Sequence, residues 1–180
     1  SGLVGSEMCI RDSWKGLKDL YAIGFIDRLP RLISAQAEGC CPINRAIAEN
    51  KPWEPMEENT LADSIAVGVP RNADKALMAI RESNGIVVNV SDQEIMAAQQ
   101  LLGRTCGVFG EPAGVTGTAG VKKLCQQGVI GRDDTVVSVV TGNGLKDVAN
   151  AIKAAGEPIS IPSDMDRLLA AFAEKGITVE

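Results

Sequence analysis

The segment VVSVVTGNGLKD, residues 136–147, combines a hydroxyl side chain with two glycines at the end of an apolar run. The run 135–140 (TVVSVV) is almost continuously apolar, which is typical of a strand covered on both faces of a parallel sheet. Ligands of open α/β sheets bind at the carboxyl ends of strands, and Thr141 falls at that end. Gly142 and Gly144 allow the backbone to bend and to approach a ligand closely. The segment therefore predicts either a ligand-binding turn or a tight strand-to-helix turn without a ligand.

Charged side chains stand immediately before two predicted helices. Glu111 precedes Pro112 in GVFGEPAGVTGTAG, residues 107–120, and proline fits the first turn of a helix. The helix dipole favours a carboxylate at that place, so a structural role explains Glu111 as well as a functional role does. Arg71 stands before a helix that Asn72 caps, where its side chain would either bind a phosphate or carboxylate or lie in solvent.

The composition excludes several kinds of chemistry. The 180 residues contain no histidine, which excludes Ser-His-Asp and Cys-His catalysis and histidine-based metal sites within them. A net charge of −5 argues against general binding of nucleic acid or of anionic membranes, and no apolar run is long enough to span a membrane. Asp147 stands where the dinucleotide fingerprint G-x-G-x-x-G requires its third glycine. Five cysteines without C-x-x-C spacing indicate reduced, mostly buried thiols in a cytosolic protein.

Strand and helix signals alternate along the middle and the end of the chain. Residues 86–90 (IVVNV) predict a strand, and Ser91 with Glu94 predicts a capping box that begins the next helix. Further helices are predicted over 113–127, from 145 to 154, and from 163 to 176, the last one burying Leu168, Leu169 and Phe172. The proline- and glutamate-rich residues 50–61 predict an exposed loop or a lid. This alternation predicts an α/β fold with a mostly parallel sheet and flanking helices.

Six segments together resemble threonine synthases, which are pyridoxal-phosphate enzymes of fold type II, the tryptophan-synthase-like fold. In the family's order they are WKGLKDL from Trp14, PRLISAQAEG from Pro30, ADSIAVGVPRN from Ala62, VSDQEI from Val90, GVFGEPAG from Gly107 and VVTGNGLKD from Val139. The resemblance covers residues 14–180, and VVTGNGLKD is its most specific part. It implies part of the fold type II domain, with pyridoxal 5'-phosphate as the cofactor.

The resemblance also implies roles for particular residues. The hydroxyl of Thr141 would hydrogen-bond the pyridine nitrogen of the cofactor, and Gly142 and Asn143 would shape the wall beside it. Glu111 falls in a segment that lies near the active site in several relatives. The family converts O-phosphohomoserine and water into threonine and phosphate, in a cytoplasmic homodimer.

Two features depart from the family pattern. The S-F-K-D-R-like segment that carries the Schiff-base lysine does not occur in these residues, so we expect no catalytic lysine in this chain. Residues 1–13 do not match the phosphate-binding loop that precedes W-K-G in the family, and SEMCIRDS is similar to translated adapter sequence. We therefore expect 14–180 to be the C-terminal part of a longer enzyme and to be inactive alone. Two alternatives are a related enzyme, such as a threonine dehydratase or diaminopropionate ammonia-lyase, and a non-catalytic α/β ligand-binding module.

Overall fold

The computed structural model describes residues 6–156, 160–161 and 163–178. The α-helices are α1 (Ser6–Ala22), α2 (Pro42–Glu49), α3 (Ala73–Glu82), α4 (Asp92–Cys106), α5 (Pro112–Gln126), α6 (Val148–Ala155) and α7 (Met165–Glu174). The strands are β1 (Ile33–Ala37) and β2 (Ile86–Val90), and two short 3-10 helices cover Asp63–Ile65 and Gly144–Asp147. Helix α1 crosses the predicted boundary between 1–13 and 14–180 without a break, and that boundary stays a prediction. Residues 1–5 of the non-matching segment lie outside the described ranges.

The two strands form a parallel sheet whose faces are both covered by helices. They pair in register from Ile33 with Ile86 to Ala37 with Val90. Because side chains alternate along a strand, Val87 packs against the α2–α3 cluster while Val88 and Val90 belong to the core beneath α4 and α5. The predicted α/β class, with a parallel sheet and flanking helices, is confirmed.

Helix α5 lies close against the sheet because small residues face it. A Cβ atom added at Gly120 would lie 2.8 Å from Val88 Cγ1 and 2.9 Å from the Cβ of Ala35. The other face of the sheet carries a second core, formed mainly by Ile43, Leu77 and Ile80 of α2 and α3. Glycine at position 120 thus sets the distance between α5 and the strands.

Local signals predicted the start of α4 correctly. The Ser91 hydroxyl accepts a hydrogen bond from the Glu94 N–H at 3.2 Å, and the Glu94 carboxylate accepts one from the Ser91 N–H at 2.7 Å. This is the predicted capping box. Gly107 ends the helix in the left-handed conformation, with φ of 66°. Strand β2 also has the predicted bounds, Ile86–Val90.

The predicted buried strand 135–140 is wrong. These residues form no strand in the structure, and the side chains of Val137 and Val139 are 85% and 68% exposed. A buried strand needs a hydrogen-bonding neighbour and cover on both faces. In the described part of the chain β1 and β2 pair only with each other, and 135–140 contacts α5 through the hydroxyls of Ser138 and Thr118, which are 3.1 Å apart.

Two predictions of burial also need correction. Helix α7 has the predicted position but buries none of its residues, since Leu168 and Phe172 are half-buried and Leu169 is 46% exposed. Helical periodicity indicates an apolar face without specifying what covers it. None of the five cysteines forms a disulfide, as expected for reduced thiols, but only two of them are buried. The buried pair is Cys40 and Cys41, and the exposed pair is Cys106 and Cys125.

The segment over residues 50–61 is a loop, as predicted, and its Trp53 packs beside the α2–α3 core. None of the helices in the described ranges has both the length and the apolar character needed to cross a lipid bilayer.

Candidate functional site

The structure brings the two most informative sequence segments into direct contact. The turn formed by residues 141–144 lies against residues 109–111, which lead into α5. Gly110 and Asn143 form an antiparallel bridge. On either side of it, the Glu111 N–H donates to the Gly142 carbonyl and the Gly144 N–H donates to the Phe109 carbonyl, both at 2.9 Å. Two backbone hydrogen bonds therefore hold the turn against the start of α5.

The glycines of the turn are required by neighbouring protein atoms. A Cβ atom at Gly142 would lie 1.9 Å from Oε1 of Glu111, and one at Gly144 would lie 2.2 Å from Cε2 of Phe109. The sequence predicted close approach to a ligand at these positions. In the structure, the close approach is between the turn and the residues before α5.

Thr141 occupies the exposed start of this turn. Its side chain faces solvent, and its hydroxyl has no hydrogen-bond partner among the described residues. The backbone beside it is held closely, because a Cβ atom at Gly114 of α5 would lie 3.4 Å from the Thr141 nitrogen. An accessible hydroxyl on a fixed backbone can donate to, or accept from, a ligand atom.

Glu111 is buried, with 3% of its surface exposed. It is the N-cap residue of α5, but its carboxylate does not cap the helix through a hydrogen bond. Instead, Oε1 accepts a hydrogen bond from the Lys146 Nζ at 3.2 Å. The Lys146 side chain is half exposed, so the pair reaches from the interior to the surface.

Asn143 has a structural role in the same turn. Its Oδ1 accepts a hydrogen bond from the Leu145 N–H at 2.9 Å and so caps the 3-10 helix Gly144–Asp147. Asp147 then caps α6 by accepting from the Asn150 N–H at 3.2 Å. These consecutive caps give residues 141–148 a defined path even though 135–140 is unpaired.

A polar cleft of about 380 Å³ opens beside Glu111. Its polar lining comes from Asp63, Ser64, Glu111, Lys146, Asp147 and Asn150. Sequence reasoning identified Glu111 but missed the other five, because they come from two other segments, 63–64 and 146–150. Lys146 lies in the segment VVTGNGLKD, but nothing in the spacing of that segment indicated a contact with a residue 35 positions earlier.

A second polar cluster lies along β1 and β2, and sequence reasoning did not predict it. Asn44 is buried, and its Nδ2 donates to the carbonyls of Ser34 and Val88 and to Oδ1 of Asn89, at 2.8–3.1 Å. Its N–H donates to Oε1 of Gln36 at 2.9 Å. Asn44 thus connects α2 to both strands.

Lys123 of α5 connects the carboxyl ends of β1 and β2 to α4. Its ammonium group donates to the Asn89 carbonyl at 2.9 Å, to Glu94 at 3.0 Å and to Glu38 at 3.2 Å. Burial lowers the pKa of Lys123, but the hydrogen bonds and charges of Glu94 and Glu38 outweigh it and leave the pKa raised. Burial likewise raises the pKa of Glu94, while the Ser91 N–H and Lys123 outweigh that effect and leave it lowered.

The residues of the 141–144 turn fit the pyridoxal ring that the sequence resemblance implies. The exposed hydroxyl of Thr141 is a neutral group that can contact a pyridine nitrogen. The ammonium group of Lys146 is paired with the buried carboxylate of Glu111. Arg71 is exposed before α3, and its side chain makes no hydrogen bond to the described residues.

The chain belongs to a known class of proteins. The sequence profile of the family described as "Pyridoxal-phosphate dependent enzyme" matches residues 13–142, which include Glu111, Thr141 and Gly142. The chain is a member of that family, whose cofactor is pyridoxal phosphate.

Among individual proteins, the chain is similar to threonine synthases. It is 43% identical to the threonine synthase of Methanosarcina acetivorans over 174 residues, which cover 96% of this chain and 43% of that protein. It is 44% identical to that of Methanocaldococcus jannaschii over 169 residues, which cover 92% of this chain and 41% of that protein. The chain therefore spans less than half the length of these curated relatives.

Solved structures show the same fold. The serine racemase of Dictyostelium discoideum superposes with a TM-score of 0.59 at 19% identity, covering 78% of this chain and 41% of that chain. Maize serine racemase superposes with a TM-score of 0.58 at 18% identity, covering 84% of this chain and 44% of that chain.

Proposed function

We propose that residues 14–180 form one wall of the pyridoxal-phosphate site of a threonine synthase. The enzyme converts O-phosphohomoserine, a small phosphorylated amino acid, and water into threonine and phosphate. The observation that carries the proposal is the exposed hydroxyl of Thr141, which has no hydrogen-bond partner among the described residues and lies on a backbone fixed against α5. Support for the substrate comes from the identity of 43–44% to two threonine synthases over most of this chain.

The cofactor, when bound, supplies the electron sink for carbanion chemistry. Thr141 contributes a neutral hydroxyl to the ring nitrogen. Because a hydroxyl, unlike a carboxylate, does not hold that nitrogen protonated, it moderates the strength of the sink. Gly142 and Asn143 shape the surface beside the ring, and Glu111 supports that surface from the protein side.

We further propose that these residues act as part of a larger, homodimeric and cytoplasmic enzyme. The chain contains no S-F-K-D-R-like lysine segment, so it holds the cofactor without a covalent bond and has no turnover by itself. The five cysteines, none of which forms a disulfide, support a reducing compartment.

Cofactor binding is the first test. Fluorescence titration of the 180-residue chain with pyridoxal phosphate is expected to give saturable binding that Thr141→Val weakens. Thr135→Val, an exposed threonine of the preceding segment, is the matched control and is expected to leave binding unchanged. After borohydride reduction, intact mass is expected to show no lysine adduct. Equal binding by the two variants, or a stoichiometric adduct on one lysine, would contradict the proposal.

The activity is tested in a chimera that places the N-terminal part of the Methanosarcina acetivorans threonine synthase before Trp14. We expect this protein to release phosphate from O-phosphohomoserine and to form threonine in equal amounts. Thr141→Val is expected to lower kcat in the chimera, because the hydroxyl contacts the ring on which the chemistry occurs. Release of ammonia from serine or threonine without phosphate release would instead indicate a dehydratase-type enzyme.

A further inference from the structure

The buried carboxylate of Glu111 needs a compensating group, and its own helix does not supply one. The carboxylate of an N-cap residue commonly accepts a hydrogen bond from the first turn. Here no such bond forms, although Glu111 is N-cap of α5. An ionised carboxylate removed from water is costly unless it is paired. Within the described ranges, the ion-pair partner of Glu111 is Lys146.

Lys146 is placed so that its ion pair closes a loop over the turn. Its N–H donates to the Asn143 carbonyl at 3.0 Å, within the 3-10 helix that follows the turn. Its ammonium group then reaches back to Glu111 at 3.2 Å. The backbone hydrogen bond from the Glu111 N–H to the Gly142 carbonyl connects the same two segments from the other side.

The pair contacts the turn tightly enough to transmit a displacement. Oε1 of Glu111, the atom that Lys146 binds, is also the atom nearest to a Cβ position at Gly142, at 1.9 Å. Gly142 is bonded directly to Thr141. If the ammonium group is removed, the carboxylate must seek water or another donor, and the turn is the part of the structure that it contacts.

We infer that Lys146 is a positioning residue: its ion pair with Glu111 clamps the 141–144 turn onto residues 109–111 and so sets the direction of the Thr141 hydroxyl. The clamp follows from the contacts described above. The contact of the Thr141 hydroxyl with the cofactor rests on the proposed function.

Amide hydrogen exchange of the 180-residue chain tests the clamp without any cofactor. Lys146→Met is expected to lower the protection of the Glu111 and Gly144 amides by about tenfold, because it leaves a buried carboxylate unpaired. Lys146→Arg keeps the charge and is expected to restore most of the protection. Lys153→Met is the matched control, since among the described residues Lys153, on the adjacent α6, donates to Asn150 alone, at 3.4 Å. It is expected to leave both amides unchanged.

Two outcomes would overturn the inference. One is unchanged protection of both amides in Lys146→Met. The other is an equal loss of protection in β2, which would mean that Lys146 contributes to overall stability and not to the turn. Because these readouts need no ligand, they stand even if the chain fails to bind pyridoxal phosphate.

Cofactor binding then tests the positioning role separately. Lys146→Met is expected to weaken pyridoxal-phosphate binding in the wild-type background and to have little further effect in Thr141→Val, since both changes remove the same contact. Additive losses would show that Lys146 acts on binding independently of Thr141 and would overturn the positioning role.

Discussion

The indole Nε1 of Trp14 donates a hydrogen bond of 2.6 Å to Oε2 of Glu82, which lies 68 residues further along the chain. The ammonium group of Lys18 donates to the same oxygen at 3.0 Å and lies 5.8 Å from the centre of the Trp14 ring. A buried tryptophan, a lysine and a carboxylate thus join α1 to α3. Trp14 also begins the first segment by which the sequence resembles threonine synthases.

This junction predicts a pH-dependent effect of Trp14→Phe. The Trp14 hydrogen bond, followed by that of Lys18, lowers the pKa of Glu82 below its ordinary value of 4.5. A lowered folded-state pKa contributes stability that is complete above the ordinary value and is lost as pH falls through the folded-state value. Trp14→Phe is therefore expected to destabilise the protein more at pH near 7 than at pH near 3. Urea unfolding at both pH values measures the loss of stability, and carboxyl NMR titration measures the pKa of Glu82.

In Trp14→Phe the pKa of Glu82 is expected to rise toward 4.5. Lys18→Met is also expected to raise it, because this change removes both the hydrogen bond and the charge of Lys18. An unchanged pKa of Glu82 in either variant would contradict the assigned causes.

Two glycine-to-alanine substitutions are expected to have opposite effects. Gly142→Ala places a Cβ atom 1.9 Å from the Glu111 carboxylate, so the turn must move, at a cost of about 1–3 kcal/mol. Gly103 lies in α4 with no atom within 4 Å of its Cβ position. Gly103→Ala is expected to stabilise the protein by about 1 kcal/mol, because alanine has the higher helix propensity. Chemical denaturation measures both, and stabilisation by Gly142→Ala would show that the turn is not closely packed.

Removal of the Asn44 amide is expected to destabilise the protein strongly. Asn44→Ala leaves the buried carbonyls of Ser34 and Val88 without this donor, at a cost of about 1–3 kcal/mol for each group left unsatisfied. The matched control is Asn50→Ala on the exposed C-cap of the same helix, where the left-handed conformation with φ of 50° costs only about 1–2 kcal/mol. Thermal unfolding compares the stability of the two variants. An equal loss of stability would mean that the hydrogen bonds of Asn44 contribute little.

Loss of the capping hydroxyl is expected to weaken the start of α4. Ser91→Ala removes the acceptor of the Glu94 N–H and is expected to lower the free energy of unfolding by about 1 kcal/mol. Ser91→Asp keeps an acceptor at the N-cap and is expected to retain most of the stability. Urea unfolding of the two variants checks this, and equal stability of both would remove the hydroxyl as the cause.

The cysteines are expected to react with a thiol reagent in distinct phases. Cys106 and Cys125 are exposed, whereas Cys40 and Cys41 are buried. Burial raises the pKa of the Cys40 and Cys41 thiols and so reduces their thiolate fraction near neutral pH. Absorbance-monitored modification is therefore expected to show a fast phase that is lost when Cys106 and Cys125 are both replaced by serine. A fast phase that survives in this variant and also after replacement of the half-buried Cys9 would show that the buried thiols are reached by local opening.

Local signals predicted those parts of the fold that depend on neighbouring residues. The capping box of Ser91 and Glu94 needs only contacts within one helix, and its prediction was correct. Strand β1 was missed because ISAQA has a single β-branched residue and two polar ones. Ser34 and Gln36 are buried polar residues, and each is hydrogen-bonded to Asn44, which comes from another element.

The site was predicted in pieces for the same reason. Thr141 and Glu111 were each identified from their own segments, but no sequence spacing indicated that a backbone hydrogen bond joins Glu111 to Gly142. The apolar pattern of 135–140 was interpreted as burial, although burial depends on the strands and helices available to cover it. The pairing of Lys146 with Glu111 likewise became visible only in three dimensions.

The register of the sheet has a consequence for the order of folding. Each residue of β1 pairs with a residue roughly fifty positions later, so the sheet closes only after a long stretch of chain has been made. During synthesis β1 leaves the ribosome well before its partner exists, whereas α4 and α5 follow each other directly. The α4–α5 hairpin is therefore free to form while it emerges. The pairing of β1 with β2, with its entropic cost of loop closure, is the slower step.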